Sequence, residues 1–407
     1  MPRWSRLLCG LLTCVVVVAV GAAVAIVQLD ADAGRDVVEG AMSQWAVPLA
    51  VLGDSDSHAY HDTLHFPPGS PARGGPYRAI TFQWTEVLAR LRPEAIDLGP
   101  WGRWGMRRSW ARVLGRLGRT VRAPRKEDHR HNFAVSGARC EDLLDGWRQT
   151  YALKQLMDED PDRWARGVVV VRIGINSFGS EADLDRLAHD PRDPQVQAEV
   201  ARCLDAIAAS VDLIRASHPR TRFVLVGIFD NSRWARADVR WQDPVALHRI
   251  ASGLDRFDDG LRRLARERRD VAFFDDRAWF AARWGGRDPE GRPAYRDVML
   301  GGVLRVSNTA GDAPHNAVLA DRHAGTVWNG WWAAALVELM NQQFGLGIAP
   351  MTDCEIASLL VQDGEPDRLG ACMAADPVDG DAATPACVPS CRGAEPGGSI
   401  GMAEPAR

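Results

Sequence analysis

The segment Gly53-Asp-Ser-Asp-Ser57 follows the apolar run Trp45-Ala-Val-Pro-Leu-Ala-Val-Leu52, so a small polar cluster begins where a buried strand would end. Ser55 is a candidate nucleophile there. A serine hydroxyl attacks weakly until a neighbour takes its proton, and an imidazole of pKa about 6.5 can take it near neutrality and return it to a leaving alcohol. Histidines stand in two late segments, Asp312-Ala-Pro-His315 and Asp321-Arg-His323. Asp54 reads as a turn brace and Ser57 as a structural cap. His58, His61 and Asp62, with Asp54 and Asp56, raise a metal cluster, but their irregular spacing favours supporting or rim roles. No metal or cofactor is expected.

The elements that must position these residues are visible in the hydropathy pattern. Gly167–Ile173 and Phe223–Phe229 are apolar, β-branched runs of buried-strand type, and Val271–Phe274 is a shorter one. Apolar residues at helical spacing run from Val200 to Ile214 and from Ile250 to Leu264, and a last helix covers Val327 to Phe344. A short helical piece falls in Phe82–Leu91, and a helical pattern near Leu143, Leu144 and Trp147. Strands bare of polar residues alternating with amphipathic helices predict a parallel sheet covered on both faces. The polar segments GDSDS, SGARC, GINSFG and FDNSRW then all fall at the C-terminal edge, where such folds carry their sites. Arg172, Asp230 and Trp234 are candidates to line the cleft, with Arg172 paired to a buried carboxylate.

The chain has 407 residues, 46% hydrophobic, and a net charge of −4. That composition supports a sizeable core and gives no global basic field for nucleic acid. The fifteen tryptophans read first as packing and second as a sugar or lipid surface. Residues 1–29 combine a basic start with an uncharged, largely apolar stretch from Leu7 to Leu29, the pattern of a signal peptide or a membrane anchor with the body outside the cytoplasm. A linker at 30–44, a domain at 45–345 with an insertion at about 61–130, and a Cys/Pro/Gly-rich tail at 346–407 complete the expected organisation. The arginines of the insertion read as a solvated face. Export implies an oxidising compartment. Cys354, Cys372, Cys387 and Cys391 suit two local disulfides better than zinc. Cys140 and Cys203 are either buried thiols or a pair.

These motifs, in this order, resemble the SGNH/GDSL hydrolases, which have a flavodoxin-like three-layer α/β/α fold with a central parallel sheet. The resemblance covers roughly residues 45 to 345 and implies that Ser55 of GDSDS is the nucleophile, that NFAVSGA contributes Gly137, and that GINS contributes Asn176, with Ser177 departing from the family's GxND. The backbone N–H groups of Ser55 and Gly137 and the Asn176 amide would form an oxyanion hole. A helix start behind Ser55 would help, and Gly137 would keep a side chain from crowding the pocket. His315 matches the DxxH block literally, with Asp312. His323 has the family's placement before the last helix, with Asp321 two residues back, and is favoured as the base. The implied activity is ester cleavage through an acyl-enzyme on a lipid, glycan ester or small ester, with deacetylation of a surface sugar among the options. The alternatives are an O-acyltransferase acting on a cell-surface glycan and a non-catalytic glycan-binding module.

Overall fold

The computed structural model describes residues 45–116 and 119–361. The expected export segment, the linker and Cys372, Cys387 and Cys391 lie outside them. Five parallel strands form the central sheet: β1 (Val47–Gly53), β2 (Ile96–Asp97), β3 (Val168–Arg172), β4 (Arg222–Val226) and β5 (Val271–Phe274). Their order is β2-β1-β3-β4-β5, the flavodoxin-like arrangement. Four helices recur below: α1 (Trp84–Leu91), α2 (Pro194–Arg215), α3 (Pro244–Glu267) and α4 (Thr326–Phe344).

Alternation along each strand produces the three layers. Leu49, Val51, Val170 and Val224 face a core with Trp84 of α1 and Trp332 and Leu336 of α4. Their neighbours Ala50, Leu52, Val171 and Leu225 face a second core with Ile207 and Val211 of α2 and Leu254 and Phe257 of α3. α2 and α3 both start at an Asp-Pro pair, with Asp193 and Asp243 accepting hydrogen bonds from the first-turn N–H groups.

Trp84, Trp164, Trp284, Trp328, Trp331 and Trp332 are fully buried. Two of their indole N–H groups meet carboxylates, Trp332 at Asp276 (2.9 Å) and Trp331 at Asp353 (2.7 Å), while the Trp284 indole N–H has no hydrogen-bond partner among the described residues. Most of these tryptophans are therefore packing.

Two sequence expectations change. Within 61–130, α1 packs against α4 and β2 is the edge strand of the sheet, so only part of that stretch is additional. A two-residue strand leaves no periodicity to read. The added part is a ribbon of Trp101–Trp104 and Lys126–His129 with the helix Arg108–Arg116 between them. The pattern near Leu143 resolves into a 3-10 turn at Cys140–Leu143 and a separate helix at Gln149–Met157.

Cys140 and Cys203 form a disulfide across 63 residues of sequence, and Cys354 is also disulfide-bonded. Closing a loop of this length restricts the unfolded chain by about 4 kcal/mol on the chain-entropy estimate. Urea unfolding of Cys203→Ala is therefore expected to show a stability loss of that order, about 4 kcal/mol. Among the described residues no helix is long and apolar enough to cross a membrane.

Candidate active site

β1 ends at Gly53, whose N–H and C=O are both held at 2.8 Å by the buried Gln149 side chain. The chain then makes one turn, with the N–H groups of Ser57 and His58 bonded to Asp54 O. It does not continue as the helix expected behind Ser55. The next N–H groups are taken by carboxylates instead of helical carbonyls: Ala59 by Asp128, Tyr60 and His61 by Glu86, and Thr63 by Glu127. The anionic intermediate would therefore meet the dipoles of a tight turn, not a helix terminus.

Asp54 is a brace. Its Oδ1 accepts from the Asp56 N–H at 3.0 Å. Burial, with repulsion from Asp56, pushes its carboxyl up to about 8. The Ser57 Oγ is buried and accepts from the Trp84 indole N–H at 3.2 Å. Arg172, at the end of β3, crosses beneath the turn. It donates to Asp56 O (3.1 Å), pairs with Asp276 (3.3 Å) and lies over the Trp332 ring. Burial raises the Asp276 carboxyl to about 6 despite the arginine.

The segment Val135–Cys140 lies alongside. Val135 N–H bonds Gly53 O, and Ala138 N–H closes a turn on Val135 O. Gly137 has φ +79° in that turn, and a Cβ added there would meet nothing within 4 Å. Glycine is needed for the left-handed backbone, not, as expected from sequence, to keep a side chain out of the pocket. Gly137 is exposed and is not among the residues lining the cleft described below. Asn176 reaches the same segment, donating one N–H to Ala138 O at 3.1 Å, which leaves its second N–H for another acceptor. Ser177, where the family pattern has aspartate, accepts from Cys140 N–H at 3.0 Å.

The imidazole side is built by a tight turn. Leu319 N–H bonds His323 O (2.7 Å), Arg322 N–H bonds Leu319 O (3.0 Å), and Arg322 has φ +69°. That folding back lets Asp321 reach a histidine only two residues on: Oδ1 lies 3.2 Å from His323 Nδ1. Arg73, which nothing in the sequence singled out, completes the group. Its N–H and Nη1 contact Asp321 Oδ2 at 2.8 and 2.6 Å, and Nη1 also lies 2.5 Å from His323 Nδ1. Burial pushes the Asp321 carboxyl up, but the hydrogen bond and charge of His323 and the Arg73 guanidinium outweigh it and hold the group well below the usual carboxylate range. When Nδ1 carries the proton it donates to Asp321 and leaves the Nε2 lone pair free to accept. When Arg73 donates to Nδ1, the proton sits on Nε2 and the ring cannot act as a base.

His315 is placed elsewhere. It is exposed, with Nε2 beside the Asn316 amide, and Asp312 accepts from Ala320 N–H. His58, Asp62 and His65 converge, with His58 Nε2 and His65 Nδ1 2.8 and 2.6 Å from Asp62 Oδ2. The Ser136 backbone N–H points at His58 Nδ1 (3.1 Å), so the neutral ring carries its proton on Nε2, the atom a metal would need free. Burial, with Lys126 nearby, pushes His58 down to about 4. The trio is a hydrogen-bonded brace that ties the loop after β1 to the Gly137 segment. His61 instead bonds Glu86 at 2.8 Å.

Ser55, Asn176 and His323 line one cleft of about 540 Å³, together with Arg172, Phe229 and Trp234. Among the described residues no group hydrogen-bonds the Ser55 hydroxyl, so the serine–imidazole contact is open here, as is common in unliganded sites.

The flavodoxin-like sheet thus gathers serine, amide and imidazole side chains at the C-terminal edge of its strands. Residues 95–294 match the profile of the GDSL-like Lipase/Acylhydrolase family, a match that supports a hydrolase of ester type. The matched span contains Gly137 and Asn176 but neither Ser55 nor His323. No curated protein matches the sequence. Similar solved structures include a GDSL-like lipase from Parabacteroides merdae, at 15% identity and TM-score 0.33 over 75% of this chain and 98% of that one. An extracellular lipase from Streptomyces rimosus is 16% identical, with TM-score 0.36 over 72% and 100%. A lipase from a goat rumen metagenome is 12% identical, with TM-score 0.35 over 75% and 99%.

Proposed function

We propose that the protein is a serine hydrolase that cleaves carboxylic esters through an acyl-enzyme on Ser55. The observation that carries this is the convergence of Ser55, Asn176 and His323 on one cleft from three separate segments, with Asp321 on the far nitrogen of the imidazole. Ser55 Oγ attacks the ester carbonyl while its proton passes to His323 Nε2, with Asp321 stabilising the imidazolium. The Asn176 amide and the backbone N–H of Ser55, both on the cleft, are the donors for the tetrahedral oxyanion, and the Gly137 N–H would join them only if its segment moved toward the cleft. Collapse breaks the C–O bond, and the alcohol leaves with the proton from His323. Water, deprotonated by the same ring, then releases the acid. Ser55 and His323 are both partly exposed, which gives water access to the acyl-enzyme and favours hydrolysis over acyl transfer. Six of the fifteen tryptophans are fully buried, which weakens the support for a glycan-binding module. The Cys140–Cys203 disulfide supports a location outside the cytoplasm.

An alkyl fluorophosphonate, which phosphonylates activated serines, tests the reading. Intact-mass and peptide analysis is expected to find one adduct, on Ser55, and none in Ser55→Ala. Labelling on another serine, or equal labelling of the variant, would refute it.

A further inference from the structure

Between Trp101 and Lys126 the sequence holds eight arginines, one lysine and no acidic residue, in a chain of net charge −4. Some of these cations are used inside the fold: Lys126 pairs with Asp128, Arg103 with Glu127, and Arg122 donates to the Arg130 and Asn132 carbonyls. Arg107, Arg108, Arg112, Arg116 and Arg119 are different. All five are exposed, and none has an ion pair among the described residues. Elsewhere on the surface some arginines are matched, as at Arg240–Asp185, Arg268–Asp212 and Arg277–Asp255. Others without an ion pair among the described residues, such as Arg263 and Arg266, share α3 with Asp255, Asp259 and Glu267, whereas the stretch from Trp101 to Lys126 has no acidic residue at all. Leaving five like charges together unneutralised costs stability through repulsion, so the patch calls for an external anion.

The helix Arg108–Arg116 contains no buried residue. At 100° per residue, Arg108, Arg112 and Arg116 occupy one arc, and Trp110, Val113 and Leu114 the opposite one. Val113 is 46% exposed, and Trp110 and Leu114 are half-buried. The arginine side borders a groove of about 480 Å³ whose other wall includes Trp147, Arg148 and Tyr151. Arg108 lies 4.2 Å from the Trp147 ring centroid and Arg148 4.5 Å from that of Tyr151. None of these residues lines the Ser55 cleft. A surface helix with arginine on one arc and tryptophan and aliphatic side chains on the other matches the plane of an anionic bilayer, where phosphates meet the guanidinium groups and the apolar edge enters the acyl boundary. A soluble polyanion would satisfy the arginines but would give Val113 nothing to enter.

We propose that the surface formed by residues 107–116 and Arg119 docks the protein on a bilayer containing anionic phospholipid. The test is hydrogen–deuterium exchange of the full chain with vesicles of phosphatidylcholine alone or mixed with phosphatidylglycerol. This readout localises contact whether or not residues 7–29 also engage lipid. The amides of 107–116 are expected to slow several-fold on the anionic vesicles only, and the effect is expected to vanish at high salt. Substituting Arg108, Arg112 and Arg116 together by glutamine is expected to weaken the interaction on the order of 100-fold, at about tenfold or less per charge, and so to abolish the protection. Hydrolysis of a soluble ester should be unchanged in that variant, which also shows that it is folded. Equal exchange on both vesicle types, protection that survives the triple substitution, or protection by heparin with none from anionic vesicles would overturn the proposal.

Discussion

His323→Ala is expected to lower kcat/KM for a short p-nitrophenyl ester by about 10⁴-fold or more, while His315→Ala leaves it essentially unchanged. The two histidines are eight residues apart, and only one reaches the cleft. His323 lines it with Ser55, and Asp321 occupies its Nδ1 at 3.2 Å. His315 is exposed, on the segment that pairs with the strand Leu304–Ala310 through Ser307 N–H. Without an acceptor for its proton, Ser55 attacks as a neutral hydroxyl, and the alcohol must leave without a proton donor. Only the oxyanion donors and binding then contribute, which is why the loss is large but not complete. Ser55→Ala should fall to a similar floor, and Ser55→Ala with His323→Ala should be little worse than either alone, because the two act as one unit. Activity lost in His315→Ala and kept in His323→Ala would reverse the assignment of the base.

Much of the architecture could be read in the sequence because its signals are strong where the elements are long. The β-branched run 167–173 and the helical spacing from Val200 to Ile214 each allow one structure, and their alternation allows one sheet type. The two-residue strand Ile96–Asp97 has no period to detect. The helix expected behind Ser55 failed for a different reason. Its N–H groups are satisfied by Asp128, Glu86 and Glu127, residues 25 to 69 positions away, and no local pattern reports such partners. Arg73 was missed in the same way. It sits in Pro71-Ala-Arg-Gly-Gly75 with φ +57° and meets Asp321 across 248 residues. The tight turn that brings Asp321 to His323 depends on a left-handed Arg322, a conformation that arginine does not advertise in sequence. The residue types proposed for a nucleophile, amide and base could be singled out in the sequence because chemistry restricts them. The groups that hold them were not, because many side chains can do that work.

Asp321→Asn is expected to be the second severe substitution, and it separates catalysis from stability. The carboxylate lies between two cationic groups, Arg73 and the imidazolium that forms on His323. Removing its charge leaves the Arg73 guanidinium, 4% exposed, without a counter-ion, at a cost of about 3 kcal/mol. It also removes the acceptor that keeps the proton on Nδ1 and lets Arg73 compete for that nitrogen, so kcat should fall by about 10³- to 10⁴-fold. The double variant Asp321→Asn with Arg73→Gln restores charge balance. Urea unfolding should recover much of the lost stability, while ester turnover stays low. Recovery of activity along with stability would show that Asp321 acts only through folding. The pH dependence has a fixed sign. The folded carboxyl is held well below its unfolded value of about 3.9, so its contribution is complete above that value and fades as pH falls toward the folded one. The stability gap between the native protein and Asp321→Asn should therefore be full near neutrality and narrow progressively below about pH 4. A gap that is unchanged through acid, or that widens, would mean that the carboxylate does not hold the charge balance of this corner of the site.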